Sequence, residues 1–166
     1  CALRQGQSIE TTMGFSTLSG LMMGTRPGDV DSGILLHLLR GKGMSAGQLS
    51  SLLYERSGLL GVSGFSSDMR ELIARSDDPA ATEAINLFCY RARYHLGALI
   101  AVLGGLDRLV FTGGIGANAA AIRGRICAGT TSVVTRLPRR PGWRGSTSAV
   151  PSWRAWCGSG CWRCRM

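Results

Sequence analysis

The hydrophobic positions between residues 78 and 105 recur at helical spacing over the longest stretch of the chain. Asp78 is a capping residue, and Pro79 follows it at the first helical position. Apolar side chains then appear at steps of three and four: Ile85, Phe88, Ala92, Leu96, Leu99 and Leu103. The pattern predicts a long helix that is buried along one side and ends at Gly104-Gly105.

Three shorter helices are predicted upstream, each from a capping residue followed by apolar side chains at helical spacing. Their expected bounds are 31–41, 45–58 and 68–75. Ser45 and Gln48 have the spacing of a capping box, which indicates where the second helix starts. We expect Gly58 to end that helix, and Ser66 or Ser67 to cap the third.

The first 31 residues contain shorter elements. Residues 2–11 (ALRQGQSIET) read as two strands joined by a tight turn at Gln5-Gly6-Gln7. Residues 12–31 are rich in glycine and interrupted by polar side chains. This composition predicts an ordered loop that contains a short strand.

After the long helix, residues 107–125 (DRLVFTGGIGANAAAIRGR) change period abruptly. The apolar run 109–111 predicts a buried strand that Thr112 closes. A glycine turn follows, and a helix is expected to begin at Asn118 and to reach residue 127. A long helix, a strand and a second helix in this order are typical of an α/β unit.

The glycine turn between the strand and the helix has two interpretations. Gly113, Gly114 and Gly116 would let the backbone adopt positive φ and approach a ligand without a Cβ in the way. The turn would then hold a nucleotide beside the free N–H groups of the helix. The alternative is an ordinary strand-to-helix connection. The segment GGIGAN lacks the third glycine of the dinucleotide-binding fingerprint.

Charge divides the chain into two parts. Residues 1–129 carry 12 Lys and Arg against 10 Asp and Glu, whereas residues 130–166 carry 7 Arg and no acidic residue. The formal net charge of +9 therefore comes mostly from the C-terminal part. This distribution argues against a basic nucleic-acid-binding domain, because residues 1–129 are nearly neutral.

Membrane and secretion signals are not found in the sequence. No stretch reaches the roughly 18 apolar residues that a membrane span needs, and residues 1–30 lack the pattern of a signal peptide. Cys89 and Cys127 fall in helical patterns and are interpreted as small core residues of a reducing compartment. We therefore expect a cytoplasmic protein without a membrane partner.

Beyond Gly129 the periodic pattern fails. Cys157, Cys161 and Cys164 have a spacing suggestive of metal binding, but no histidine or fourth ligand accompanies them. The mixture of Trp and Arg is compatible with an RNA-stacking tail. The interpretation that we favour is a GC-rich gene read in the wrong frame. Residues 130–166 are then expected to be non-native, and either disordered or poorly packed.

Three sequence blocks, at residues 12–31, 57–72 and 106–126, together resemble the acetate kinase family. The first block contains Met-Gly-Phe and Met-Gly-Thr-Arg-Pro-Gly-Asp, and the third contains TGGIGAN. The resemblance implies an α/β fold that is part of the C-terminal ribonuclease-H-like (actin-like ATPase) domain of a two-domain kinase. It covers residues 1–129, a partial domain, and leaves residues 130–166 as a non-family tail.

The resemblance implies an enzyme that transfers the γ-phosphoryl group of ATP to acetate with Mg²⁺, giving acetyl phosphate and ADP. It also implies a homodimer. The family's other catalytic groups would lie outside this chain, so the isolated chain is expected to be inactive. The alternatives are a kinase of propionate or another short-chain acid, and a truncated product that at most binds nucleotide.

The resemblance also assigns roles to single residues. Arg26 matches the arginine that stabilises the transferring phosphoryl group, as a guanidinium fork suits the spread of charge over three oxygens. Asp68, Met69 and Arg70 match the segment that contacts the adenosine part of ATP. Asp68 is equally well placed to stabilise the N-terminus of its own helix.

The remaining assignments concern the glycine turn. Its central residues match the family's adenine-side loop: Gly114, Ile115, Gly116, Ala117 and Asn118. Ala117 stands where the family has glutamate, which removes an acceptor. The family's metal-binding glutamate would fall in the region of residues 130–166, so no metal ligand is assigned in this chain. His37 and His95 lie outside the motifs and are interpreted as core-edge or surface residues.

Overall fold

A computed structural model describes residues 1–128, and the expectations for residues 130–166 lie outside this range. Two strands and seven α-helices are formed in it. Their bounds are β1 (Ala2–Arg4), β2 (Gln7–Glu10), α1 (Ser32–Leu36), α2 (Ala46–Glu55), α3 (Gly58–Ser63), α4 (Met69–Ala74), α5 (Pro79–Leu103), α6 (Gly113–Asn118) and α7 (Ala120–Cys127). A π-helical turn, His37–Gly41, continues α1.

The long helix α5 is the support on which the other elements pack. Asp78 caps it by accepting a hydrogen bond from the N–H of Ala80 at 2.8 Å, and Pro79 is its first residue. It ends at Gly104, whose φ of 71° is the left-handed conformation expected of a glycine C-cap. The predicted helix is therefore confirmed. Helices α3, α4 and α7 and the hairpin all contact it.

The hydrophobic core lies along one side of α5. Leu59 of α3 and Leu72 of α4 are completely buried against it. The other buried members are Met22, Met69, Ala81, Ala84, Ile85, Cys89, Leu96, Ile100, Ile122 and Ile126. Burial raises the pKa of the Cys89 thiol, which is the behaviour of a core residue and agrees with the interpretation from the sequence.

The predicted hairpin is confirmed. Arg4 of β1 pairs with Gln7 of β2, so the connection has two residues, Gln5 (φ 52°) and Gly6 (φ 80°). Positive φ at both positions matches the right-handed twist of the flanking strands. The Arg4 guanidinium donates a 2.6 Å hydrogen bond to the carbonyl oxygen of Leu103, which ties the hairpin to the end of α5.

The shorter helices follow their capping signals, with differences at the ends. The Ser45–Gln48 capping box is formed as predicted, at 3.2 and 2.8 Å. However, α2 ends at Glu55, and the prediction that Gly58 ends it is wrong. Gly58 instead begins α3 with a φ of 64°, because a neighbouring loop approaches its backbone closely.

The structure contradicts two predicted strands. Residues 109–111 are not paired with any strand, and Val110 is 75% exposed rather than buried. Residues 12–31 form an ordered loop that contains no strand. A strand requires a partner for its N–H and C=O groups, and the β1–β2 hairpin is the only sheet within residues 1–128.

The glycine turn also differs from its prediction. Residues 113–118 are themselves a short helix, α6, and Asn118 is its last residue rather than the first residue of the next helix. Helix α7 begins at Ala120 and reaches Cys127, as expected for its end. Gly113 has a φ of 72°, whereas Gly114 and Gly116 do not have positive φ.

Candidate functional site

Arg26 lies in a loop of residues 20–29 that is closed at its base by two hydrogen bonds. The N–H of Gly20 donates to Asp29 Oδ1 at 2.6 Å, and the N–H of Asp29 donates to the carbonyl oxygen of Gly20 at 3.1 Å. Inside the loop, the N–H of Met23 donates to the carbonyl oxygen of Arg26 at 3.0 Å. The loop is therefore ordered by its own backbone although it contains no strand.

The Arg26 loop, residues 20–29, is also fixed against α3. Three carbonyl oxygens of the loop accept hydrogen bonds from N–H groups at the start of that helix. The pairs, donor first, are Ser57 to Thr25 at 2.9 Å, Leu59 to Met23 at 3.0 Å and Leu60 to Gly24 at 2.9 Å. These groups would otherwise be the unsatisfied donors of a helix N-terminus. The loop thus replaces a side-chain cap, and α3 holds the loop in place.

The close approach between the loop and α3 depends on Gly58. A Cβ at this position would collide with the carbonyl oxygen of Met23 and would lie 2.7 and 2.8 Å from the backbone oxygen and nitrogen of Arg26. Such distances are far inside van der Waals contact. Because Gly58 has no side chain, the Arg26 backbone can lie directly against the start of α3.

The guanidinium of Arg26 has neutral neighbours. Its Nη1 donates to Thr17 Oγ1 at 2.8 Å, and its central carbon lies 5.5 Å from the ring centroid of Tyr54. Within residues 1–128, no carboxylate lies at ion-pair distance from it. The arrangement orients the guanidinium without neutralising it, and leaves N–H donors for an anionic group.

The Arg26 loop lies beside the turn that leads into α4. A Cβ at Gly24 would be 3.0 Å from the carbonyl oxygen and 3.3 Å from the Cβ of Ser67, which precedes Asp68. The turn is held by Ser63 and Ser66, two buried hydroxyl residues whose Oγ atoms bind backbone groups of the turn. The structure thus brings two of the three predicted site segments together.

Asp68 caps α4, which corrects the prediction that Ser66 or Ser67 does so. Asp68 Oδ1 accepts a hydrogen bond from the N–H of Arg70 at 2.8 Å, whereas Ser66 Oγ accepts the N–H of Asp68 itself. The Arg70 side chain also donates to the carboxylate, with Nη2 at 2.6 Å from Oδ2. The Arg70 guanidinium, and then the Arg70 N–H, lower the pKa of Asp68 to about 2.

The exposure of residues 68–70 limits what each can contact. The Arg70 side chain is 86% exposed and the Asp68 side chain 37% exposed, so both are open to a ligand. Met69 is only 3% exposed and belongs to the core. Any ligand contact at Met69 would therefore involve its backbone. Its buried side chain fixes the neighbouring residues Asp68 and Arg70 to the core.

The third segment, residues 114–118, lies in α6. Gly114 is exposed and has open space where a side chain would be, and Ala117 and Asn118 are exposed as well. Ile115 packs against the core, and a Cβ at Gly116 would be 3.3 Å from the carbonyl carbon of Phe111. One side of α6 therefore packs against the core, and the opposite side is exposed to solvent.

Arg123 stabilises α6 in a way that the sequence analysis missed. Its Nη1 donates to the carbonyl oxygens of Gly116 and Ala117, at 3.0 and 2.9 Å. The only signal in the sequence was that this arginine lies in the third family-like block, residues 106–126. Helix α6 packs on α7, which packs on α5, whereas α4 contacts α5 directly. The third segment is thus connected to the other two through the α5 and α7 helices.

Within residues 1–128, no three His, Cys, Asp or Glu side chains are grouped so that they could hold a metal ion. Over the same residues, no helix is both long enough and apolar enough to cross a bilayer.

Comparison with known proteins agrees with the resemblance seen in the sequence. The sequence profile of the Acetokinase family matches residues 1–137. The acetate kinase of Rhodopseudomonas palustris (strain TIE-1) is 60% identical over 127 residues, which are 76% of this chain and 32% of that protein. The acetate kinase of Chloroherpeton thalassium is 50% identical over 132 residues, which are 78% of this chain and 32% of that protein. The chain thus spans about a third of the length of these relatives.

Solved structures show the same likeness. The acetate kinase of Porphyromonas gingivalis has a TM-score of 0.70 and 42% identity, covering 74% of this chain and 31% of that one. A propionate kinase from Francisella tularensis has a TM-score of 0.74 and 40% identity, covering 80% of this chain and 35% of that one. The described residues therefore correspond to about a third of such a structure.

Proposed function

Because the chain belongs to the acetokinase family and has the α/β, actin-like ATPase fold of its solved members, we propose that it is part of an acetate kinase. The complete enzyme would transfer the γ-phosphoryl group of ATP to acetate, giving acetyl phosphate and ADP. Since the chain spans about a third of its relatives, the reaction is assigned to the complete protein. The isolated chain is expected to be inactive.

The arrangement around Arg26 supports this proposal most directly. The guanidinium is ordered by Thr17 and Tyr54 but has no carboxylate partner within residues 1–128. In phosphoryl transfer, negative charge is spread over three oxygens of the transferring group. A preorganised cation with free donors stabilises that charge without reorganising during the reaction. Arg26 is therefore proposed as the transition-state stabiliser.

The nucleotide is proposed to contact two other segments. Asp68 and Arg70 are open to solvent, so the carboxylate could accept a ribose hydroxyl and the guanidinium could lie against adenine or a phosphate. Contact with Asp68 would compete with its bond to Arg70. The exposed backbone of Gly114, with no side chain in the way, is suited to close approach on the adenine side, together with Ile115, Gly116, Ala117 and Asn118.

Mg²⁺ is proposed as the partner of ATP in the complete enzyme, on the family resemblance alone. Residues 1–128 contain no cluster of carboxylates that fits it, so no step of the mechanism is assigned to the metal here. A homodimer in the cytoplasm is proposed on the same resemblance.

A propionate kinase is the second candidate. The structural likeness to the Francisella tularensis propionate kinase is as good as that to the acetate kinase, with a TM-score of 0.74 against 0.70. Competition between acetate and propionate for phosphoryl transfer by the complete protein would distinguish the two. A larger kcat/KM for propionate would replace acetate as the proposed substrate.

The role of Arg26 can be tested in a chimera in which the matched 127-residue segment of this chain replaces its counterpart in the Rhodopseudomonas palustris acetate kinase. Arg26→Ala should lower kcat by roughly 10²–10³-fold, the loss typical of a removed charge-stabilising donor. Arg40→Ala, at an exposed arginine of the π-helical turn, is the matched control and should leave kcat unchanged.

The assay is formation of acetyl phosphate from ATP and acetate. Equal activity of the Arg26→Ala and Arg40→Ala chimeras would contradict the assignment. Turnover by the isolated 166-residue chain that Arg26→Ala abolishes would show that the activity does not need the rest of the protein, contrary to expectation.

A further inference from the structure

One of the two hydrogen bonds at the base of the Arg26 loop is made by a side chain, the Asp29 carboxylate. Asp29 Oδ1 accepts the N–H of Gly20, and the Asp29 N–H donates back to the Gly20 carbonyl oxygen, at 2.6 and 3.1 Å. These two bonds join the ends of the ten-residue segment that carries Arg26. Within residues 1–128, no other side chain forms a hydrogen bond between these two ends, so the carboxylate contributes directly to the closure of the loop.

Helix α5 approaches Asp29 from the other side. Arg91 Nη2 donates to the carbonyl oxygen of Asp29 at 3.1 Å, and His95 Nε2 lies 3.7 Å from Asp29 Oδ2. Both residues lie on α5, one turn apart, and both rest against Tyr94. The side of α5 that faces the loop therefore carries two nitrogen groups directed at one residue.

The position of His95 is unusual. Its side chain is 9% exposed, and Nε2 is the buried side-chain nitrogen or oxygen that lacks a hydrogen-bond partner within residues 1–128. A separation of 3.7 Å is too long for a hydrogen bond, so Asp29 is at most an ion-pair partner when the ring is protonated. A buried polar atom without a partner costs stability. The unpartnered Nε2 lies beside a half-exposed carboxylate, so the nearest group that could become its partner is Asp29.

We propose that Asp29 is a positioning residue for Arg26: it closes the base of the Arg26 loop, Arg91 of α5 fixes its carbonyl oxygen, and His95 lies beside its carboxylate. The inference rests on the proposed role of Arg26 in phosphoryl transfer. Asp29 acts through the backbone, since displacement of Gly20 or Asp29 moves the loop relative to Thr17 and Tyr54. A small movement of His95 Nε2 toward Asp29 would complete a hydrogen bond and tighten the closure.

The chimera defined above allows the step from Asp29 to Arg26 to be measured. Asp29→Ala removes the acceptor for the Gly20 N–H, and should lower kcat by on the order of 10²-fold, the loss expected from misplacing a group by about 1 Å. Asp29→Asn keeps an acceptor oxygen at the same place and should restore most of kcat. The KM values for ATP and acetate should change little, because Arg26 acts on the transition state.

A double variant distinguishes positioning from general damage. If Asp29 acts through Arg26, the Arg26→Ala/Asp29→Ala chimera should be no slower than the Arg26→Ala chimera. Additive losses would overturn the proposal, as would an Asp29→Ala enzyme with unchanged kcat. If Arg26→Ala itself leaves kcat unchanged, the proposed function of the site fails first, so the two failures can be told apart.

His95 is tested separately. His95→Phe keeps a ring of similar size but removes the unpartnered nitrogen, so the thermal midpoint should stay the same or rise while kcat falls. A fall in both would indicate a purely structural role, and an unchanged kcat would remove His95 from the proposal. Hydrogen exchange in the 166-residue chain adds a readout independent of activity: Asp29→Ala should speed exchange of the Gly20 and Met23 amides but not of amides within α5.

Discussion

The contact between Gly58 and the Arg26 loop gives the sharpest prediction for stability. In Gly58→Ala, the new Cβ would collide with the carbonyl oxygen of Met23 and would lie within 2.8 Å of two backbone atoms of Arg26. Backbone atoms cannot rotate out of the way as a side chain can. Either the loop moves or α3 does, and both movements break the hydrogen bonds between them.

The expected loss can be worked from two contributions. The left-handed conformation of Gly58 (φ 64°) costs a residue with a Cβ about 1–2 kcal/mol. Three N–H···O=C bonds join the loop to the start of α3, and each contributes about 0.5–1.5 kcal/mol. If the displaced loop loses two or three of them, the free energy of unfolding should fall by about 2–6.5 kcal/mol in total.

Gly64→Ala is a matched control. Gly64 has a similar φ of 76°, but no heavy atom lies within 4 Å of its added Cβ. Only the conformational cost applies, so the loss should be about 1–2 kcal/mol. Urea unfolding of the 166-residue chain, followed by circular dichroism of the helices, measures both variants at constant m-value. Equal losses for the two variants would refute the claim that the loop contact is what requires glycine at position 58.

Three further predictions follow from local contacts. The Asp68 carboxyl should titrate near pH 2 in an NMR titration, and Arg70→Ala should raise this midpoint toward 3.8. Because the pKa of Asp68 is lowered in the folded state, the stability that its interactions contribute is complete above pH 3.8 and is lost as the pH falls toward 2. Ser45→Ala should cost about 0.5–2 kcal/mol of unfolding free energy through the lost capping box, while Ser50→Ala, on the exposed side of α2, should cost less. Gly116→Val in the chimera should weaken ATP binding measured by calorimetry, because the new Cβ would lie 3.3 Å from the carbonyl carbon of Phe111 and would displace the backbone of α6. Unchanged ATP affinity in a folded variant would show that α6 is only a connection between its neighbours.

Elements encoded by neighbouring residues could be predicted from the sequence. Helix α5, its Asp78 cap and its Gly104 stop depend on contacts within a few positions of the chain. The same holds for the Ser45–Gln48 capping box and for the two-residue turn of the hairpin. In each case the physical cause is local, so the pattern of residues contains it.

Features that depend on distant partners could not be predicted in this way. The apolar run 109–111 has the composition of a strand, but a strand needs a neighbour and none is present within residues 1–128. Gly58 resembled a helix stop because the loop that requires its left-handed conformation lies some thirty residues earlier in the sequence. Asn118 was expected to begin a helix, although the preceding glycines already form one, which Arg123 stabilises.

The site shows the same division. Motif resemblance singled out Arg26 and Asp68, and the structure shows that their segments are neighbours through Gly24 and Ser67. Asp29 belongs to the same motif as Arg26, but the motif does not reveal its bond to Gly20, and Tyr54 comes from another element. Whether these segments bind ATP stays a prediction.

The hydrogen bond from Arg4 to Leu103 has a consequence for synthesis on the ribosome. The two residues are 99 positions apart, and translation proceeds at roughly 5–20 residues per second. The hairpin therefore leaves the ribosome on the order of 5–20 seconds before the end of α5 that receives it. During that interval its strands have no docking surface, and an isolated two-stranded hairpin is only marginally stable in water. Among the described elements, the hairpin is thus made before α5 but completes its docking only when the end of α5 is made. A chaperone that shields nascent chains would have an opportunity to bind the hairpin during that interval.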